Sequence, residues 1–322
     1  MVLSLRERRI LSELSMDSRK KQADIAREMR ISPQILKYHI DSLREKQAFK
    51  ELVIVDPAKF GLITVRVFLS FTTFTQTTRE IIIDTLLREE TVIFIQRLRL
   101  GADLLIEYAV PNLSLFNKIH SAFLDKFSGF IKNKHIYPVL VRYEFERTYL
   151  HPSAKQSSAI LSGDRDIVDV RPVDRQVISA LIQDPSASLT RLSEMVSLDH
   201  RTISRAIQNC LSERIIRGFS IVPTYSVTQI SSALLGVEFS YITPHDMKKF
   251  ISFVSEIKEV VALVKVIGQQ NVFIRIESLD EYTAVIERIC AGWGITDYVV
   301  YGGGDILKSI HIPRIYVRPE RE

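Results

Sequence analysis

The chain repeats itself at an offset of 167 residues, which limits its folds to those that two similar halves can build. Ile10, Leu11 and Leu14 fall on Val177, Ile178 and Leu181, and Ile25, Met29 and Ile31 on Leu192, Val196 and Leu198. Leu36, Ile40 and Leu43 fall on Ile203, Ile207 and Cys210, and Phe49, Ile54 and Val55 on Ile216, Ile221 and Val222. The register needs no gap over about fifty residues, and farther on Gly101 falls on Gly268, each after a β-rich run.

Each copy opens with a helical pattern. Leu5 to Leu14 places apolar residues on one face, a second helix is expected from about Gln22 to Met29, and Ser32-Pro33 starts a third. A hydroxyl N-cap followed by proline is a helix-start signal, because proline stands where no backbone donor is needed. In the second copy Asp199 takes the cap position. Two short helices, a tight turn and a capped third helix make a helix-turn-helix. Lys50–Val55 and Arg217–Val222 are β-prone and are expected to form a wing in each copy. The rest of each copy reads β-α-β-β-α-β, the split ferredoxin-like order. The fold class is therefore α+β, two winged helix-turn-helix domains each followed by a ferredoxin-like domain. The expected boundaries are 1–57, 58–150, a linker at 151–170, 171–223 and 224–322. The linker reading rests on Ser and Asp content with Pro152 and Gly163, and Gly302-Gly303-Gly304-Asp305 reads as a flexible connector in an unmatched tail.

These elements carry a family resemblance. Ile31-Ser32-Pro33-Gln34-Ile35-Leu36-Lys37-Tyr38-His39-Ile40-Asp41-Ser42-Leu43 resembles the recognition-helix signature of the Lrp/AsnC (feast/famine) transcription regulators. So does Leu198-Asp199-His200-Arg201-Thr202-Ile203-Ser204-Arg205-Ala206-Ile207, followed by Ile215 to Phe219. Val55-Asp56-Pro57-Ala58-Lys59-Phe60-Gly61 is similar to that family's passage from wing to hinge. The resemblance implies that the ferredoxin-like parts are of the RAM type. It also implies assembly through their sheets, either between copies as a homo-oligomer or within one chain as a pseudo-dimer. The tandem duplication departs from the family's usual single copy.

Double-stranded DNA is the expected partner. The net charge is +5, and the positive surplus lies wholly in two segments, +3 in residues 1–57 and +2 in 171–223. With the third helix fixed by its apolar face, its cap Ser32 and outward residues Gln34, Lys37, Tyr38, Asp41 and Arg44 meet base edges. The second set is His200, Arg201, Ser204, Arg205 and Gln208, while Lys50, Arg214 and Arg217 are expected on phosphates. Because the two letter sets differ, the two copies should read different half-sites. The turns at Gly101 to Asp103 and Gly268 to Asn271 match, by resemblance, the place where family members build an amino-acid pocket. Gly101, Asp103, Gly268 and Asn271 are therefore the effector-site candidates.

Other chemistry finds less support in the residues. The same architecture resembles siroheme decarboxylases, including fused forms, but the seven histidines are dispersed and none adjoins either glycine turn. The expectation is of no catalytic residues, no metal and no cofactor, with a protein-binding scaffold as the other alternative to DNA. No two Cys or His stand at ligand spacing. Cys210 and Cys290 form no framework, which suits a reducing, cytoplasmic compartment. No apolar run approaches the ~18 residues that span a bilayer, so no membrane partner is expected.

Overall fold

The computed structural model describes residues 2–72, 75–151, 158–163 and 166–318. Pro152 and most of the Ser-rich stretch read as a linker lie outside the described residues. The first half runs α1 (Leu5–Met16), α2 (Gln22–Met29), α3 (Pro33–Glu45), β1 (Phe49–Val55), β2 (Ile63–Phe71), α4 (Gln76–Arg88), β3 (Val92–Leu98), β4 (Leu104–Val110), α5 (Leu113–Lys126) and β5 (Ile131–Phe145). A short β6 (Ser158–Leu161) leads to the second half. That half runs α6 (Pro172–Gln183), α7 (Leu189–Val196), α8 (His200–Ser212), β7 (Ile216–Pro223), α9 (Tyr225–Thr228), β8 (Ser231–Phe239), α10 (Pro244–Ser255), β9 (Val260–Val266), β10 (Val272–Ser278), α11 (Thr283–Cys290) and β11 (Ile295–Ser309).

The halves are joined by strands rather than by a surface. The order β2-β4-β3-β11-β8-β10-β9-β5 closes on itself through β2–β5, so the two ferredoxin-like sheets form one eight-stranded barrel. Two long strands make the seams. β5 pairs with β2 through Ile131–Pro138 and then with β9 through Val139–Glu144. β11 pairs with β8 through Ile295–Gly302 and then with β3 through Gly303–Ser309. The two ferredoxin-like sheets are thus joined by strand pairing within one chain.

Alternation along the strands decides what faces where. Val65, Val67, Leu69 and Phe71 of β2 pack outward under α4 and α5, and Leu235, Val237 and Phe239 of β8 do the same under α10. The intervening Phe68 turns inward, where it stacks on Tyr301 at 4.4 Å and approaches Phe273 at 5.0 Å. The inner face, a β-ribbon and both helix-turn-helices share one continuous core.

Three expectations need correction here. Each copy was expected to form its own wing, yet β1 pairs antiparallel with β7 of the other copy, from Phe49 opposite Pro223 to Val55 opposite Ile216. The strands are apolar enough to be largely buried, and an exchanged ribbon buries both against both helix-turn-helices. The Gly302–Gly304 stretch is no flexible connector but the middle of β11, where it crosses from β8 to β3. A Cβ on Gly303 would lie 2.6 Å from Ser232 Oγ, so glycine is what lets the strands cross there. The 151–170 segment is also more than a linker. β6 adds to β5, Val168 N–H donates to Lys59 O at 2.9 Å, and Val170 is buried.

His120 on α5 is buried, stacks on Phe116 at 5.1 Å and has neither ring nitrogen hydrogen-bonded among the described residues. Burial, with help from Lys134, pushes its pKa from 6.5 down to about 4. The unfolded chain then binds the extra proton, so this stability is present above pH 6.5 and lost as the pH falls toward 4. His120→Leu should flatten the fall of the thermal midpoint between those pH values, removing up to about 3 kcal/mol of pH dependence.

Candidate nucleic-acid interface and its neighbouring cavities

Both recognition helices carry the caps their sequences call for. Ser32 Oγ accepts Ile35 N–H at 3.2 Å, and the Asp199 carboxylate accepts Thr202 N–H at 2.9 Å and its hydroxyl at 2.6 Å. Hydrogen bonding to Thr202 holds the Asp199 carboxyl below its usual range. Leu36, Ile40 and Leu43 of α3, and Ile203, Ile207 and Cys210 of α8, are buried. That leaves Ser32, Gln34, Lys37, Tyr38, Asp41 and Arg44 exposed on the first helix-turn-helix, with Tyr38 at 71%. On the second, His200, Arg201, Arg205, Gln208 and Arg214 are exposed and Ser204 is half-buried. The residues named from helical spacing therefore share one open face on each helix.

Two of the phosphate candidates make contacts toward the barrel, although Lys50 itself stays exposed. Lys50 Nζ donates to the Ile306 carbonyl of β11 at 3.2 Å. Arg217 is half-buried and lines a cavity between the β1–β7 ribbon and the barrel. Both lie on the exchanged ribbon, which faces the barrel as an ordinary wing would not. The ribbon also clamps the two helix-turn-helices to each other. Arg19 Nη1 donates to the carbonyls of Pro185 and Ala187 at 2.8 and 2.9 Å and stacks over Phe219, while Ser220 Oγ donates to Ser15 O at 2.7 Å.

The glycine turns are filled from within. Gly101 has φ +82°, and a Cβ there would come within 2.7 Å of Tyr301 Cδ1 on the other half's seam strand. Gly268 stands against Tyr137 in the mirrored arrangement. Asp103 Oδ2 accepts Phe71 N–H at 2.8 Å, and Asn271 Oδ1 accepts Phe239 N–H at 2.7 Å, so the Asp-to-Asn change preserves one structural bond. The other Asp103 oxygen lies 3.8 Å from Arg79 near the surface.

Beneath the ribbon the barrel interior is charged. Arg66 donates to Glu107 Oε1 at 2.6 Å from Nη2 and 2.9 Å from Nε, and Arg142 closes on Glu107 Oε2. Burial alone would raise the Glu107 carboxyl, but Arg142 and Arg66 hold it at about 2. Glu107 and Arg142 border a cavity of about 170 Å³ that also meets Arg275 and His311. A second carboxylate, Glu277 of β10, receives Arg147 at 2.8 and 3.1 Å, Tyr149 at 2.9 Å and Tyr225 at 2.7 Å. Its carboxyl is lowered against the pull of burial by that guanidinium. This buried network fastens the end of the first half to β10 of the second.

Sequence reasoning missed a further groove, between α1 and the segment after β5. It measures about 620 Å³, and Arg6, Arg8, Arg9, Arg30 and His151 line it over an apolar floor that includes Met29 and Leu150. No carboxylate side chain is among its lining residues. Three arginines within Arg6–Arg9 were the available signal, but their neighbour His151 is remote in sequence.

Residues 171–217 match the family model described as winged helix-turn-helix DNA-binding. The chain is 26% identical over 104 residues to an uncharacterized HTH-type transcriptional regulator, PH0061 of Pyrococcus horikoshii, covering 32% of this chain and 69% of that one. The solved siroheme decarboxylase NirDL is similar over 95% of this chain and 94% of its own, with a TM-score of 0.58 at 12% identity. Its co-complex with an iron-uroporphyrin III analogue matches at 0.57 and 13%. The matched helix-turn-helix and the relative named as a regulator support the class of DNA-binding transcription regulators, here with the architecture present in two tandem copies. The NirDL likeness corrects the expectation of a chain with no enzymatic role. The fold matched nearly end to end is one that a solved enzyme also has, so the fold by itself does not separate a regulator from an enzyme.

Gly101→Ala should destabilise the protein by about 2–3 kcal/mol, because it adds both a strained φ and a clash with the seam tyrosine. Chemical denaturation checks this, and Gly129→Ala, where a Cβ meets nothing within 4 Å, serves as the control.

Proposed function

We propose that the chain regulates transcription by reading an asymmetric two-part DNA site with α3 and α8. The observation that carries this reading is the pair of capped recognition helices, each with its polar face open, clamped by one exchanged ribbon. Gln34, Lys37 and Arg44 on one side and Arg201, Arg205 and Gln208 on the other offer different base-reading groups. Arg214 joins them on phosphate, whereas Lys50 and Arg217 act through the ribbon. A cytoplasmic setting follows from that partner.

A small effector is part of the same proposal. A ligand at the Gly101–Asp103 turn would work by loosening Tyr301 from its seat and so shifting how the two halves hold the helix-turn-helices. The Gly268–Asn271 turn, with its amide in place of a carboxylate, would select differently.

The arginine groove favours a second reading. Four guanidinium groups over an apolar floor suit a macrocycle bearing several carboxylates, the class of ligand in the NirDL co-complex. Decarboxylation breaks a carbon–carboxylate bond and returns a proton to that carbon, and His151 is the imidazole that lines this groove. The cavity under the ribbon, at about 170 Å³, is too small for such a substrate.

An unbiased DNA selection on the purified chain tests the first reading. A bipartite motif with unlike halves is expected, with affinity falling steeply as salt rises. Lys37→Ala and Arg205→Ala should each cost about tenfold in affinity and relax a different half. Absence of any enriched sequence with folded protein overturns it. Addition of an iron-loaded uroporphyrin, followed by absorbance, tests the second. A spectral shift lost in an Arg6→Ala/Arg30→Ala variant supports it, and an unchanged spectrum overturns it.

A further inference from the structure

The outer faces of the two ferredoxin-like units differ in one respect that their shared register makes plain. In the second unit, Trp293 follows α11 and lays its indole against Phe250 and Phe253 of α10, with centroids 5.2 and 5.3 Å away. In the register that the strands of the two units share, an offset of 168, Phe253 holds the position in α10 that Thr85 holds in α4, beside buried Leu86. Around Thr85 and Leu86 there is no such ring. Instead a groove of about 480 Å³ lies between α4 and α5, with Leu86, Phe123 and Tyr108 as its buried floor and Leu115 and Ile119 as its walls.

Two polar features separate this groove from a merely unfilled apolar gap. Tyr108 is fully buried and lines the groove, yet its hydroxyl has no hydrogen-bond partner among the described residues. A buried hydroxyl left unmade is costly, and native structures rarely keep one without a reason. At the matching fifth position of β10 stands Ile276, which has no hydroxyl to satisfy. The rim carries exposed Lys118 and Lys126, both on α5. Neither makes an ion pair among the described residues. The one acidic lining residue, Glu89, has an oxygen engaged by Thr91 N–H at 3.1 Å and its hydroxyl at 2.7 Å. The helix that carries the lysines has 14 residues, against 8 in α11, so the second unit lacks this rim.

We infer that the α4–α5 groove binds an aromatic carboxylate. The ring takes the place that Trp293 fills in the other unit, a polar ring atom meets the Tyr108 hydroxyl, and the carboxylate reaches Lys118 or Lys126. The site is separate from the glycine turns, the arginine groove and the DNA face. Its occupancy bears on α4 and α5, which cover one side of the barrel.

Calorimetric titration of the full chain with indole-3-acetate tests this, with indole as the uncharged comparison. Saturable binding of the acid is expected at millimolar concentration or below, with weaker binding of indole. Ala122→Trp should fill the groove and abolish binding while the thermal midpoint holds or rises. Tyr108→Phe should weaken binding about five- to tenfold, the loss of one hydrogen bond. Lys118→Glu, an exposed change that leaves the floor intact, should also weaken the acid and spare indole. The assignment is overturned if the wild-type chain takes up no acid, or if Ala122→Trp binds it unchanged. It is equally overturned if sedimentation shows the chain pairing through this face and Ala122→Trp releasing the pair, since the occupant is then a second copy.

Discussion

The exchange of strands between the two halves is the constraint on which the rest of this structure depends. β5 and β11 each begin in one sheet and end in the other, and β1 leaves its own helix-turn-helix to pair with β7. A backbone ladder is directional and registered, so it fixes orientation where a packed surface would tolerate sliding. Closing the barrel also leaves its eight strands without an open edge, and β6 covers the outer end of β5.

Inside that frame the interior is unusually polar for a core. Arg66, Glu107 and Arg142 form one buried cluster, and Arg147, Glu277, Tyr149 and Tyr225 form another. Buried ion pairs are weak evidence for stability, because desolvation offsets much of their attraction. Their position suggests a different contribution. Glu277 of the second half receives groups from the first half and from the segment after the ribbon, so the pairing of halves is specified as well as stabilised. The same network fixes the ribbon, and through it the two recognition helices.

That rigidity suits either of the two readings proposed above. A DNA reader gains from two helices held in one relation, because the search for a second half-site is already completed. A polycarboxylate groove gains from arginines brought together by α1, the α2–α3 turn and the segment after β5. The duplication permits the two units to diverge, and they have done so. Recognition faces, glycine turns and outer helix grooves all differ between halves within one shared architecture.

Much of this was legible in the residues. The 167-residue register, the caps at Ser32 and Asp199, and the apolar stripes of α3 and α8 are local, and local periodicity reports helices and their exposed faces directly. The open positions Gln34, Lys37, Arg201 and Arg205 followed from the same spacing. Pairing partners are another matter. β1 and β7 each look like half of a local hairpin, and nothing in either strand records that the partner lies about 167 residues away. The same is true of the three glycines that proved to be a strand crossing, of Lys50 and Arg217 on a ribbon that faces the barrel, and of His151 beside Arg6. The chain determined by itself which segments form helices and strands, because propensity, capping and burial pattern act over a few residues. Which strands meet, and so which side chains share a cavity, was decided only in the tertiary structure, where closure of the barrel selects partners that local energies cannot distinguish.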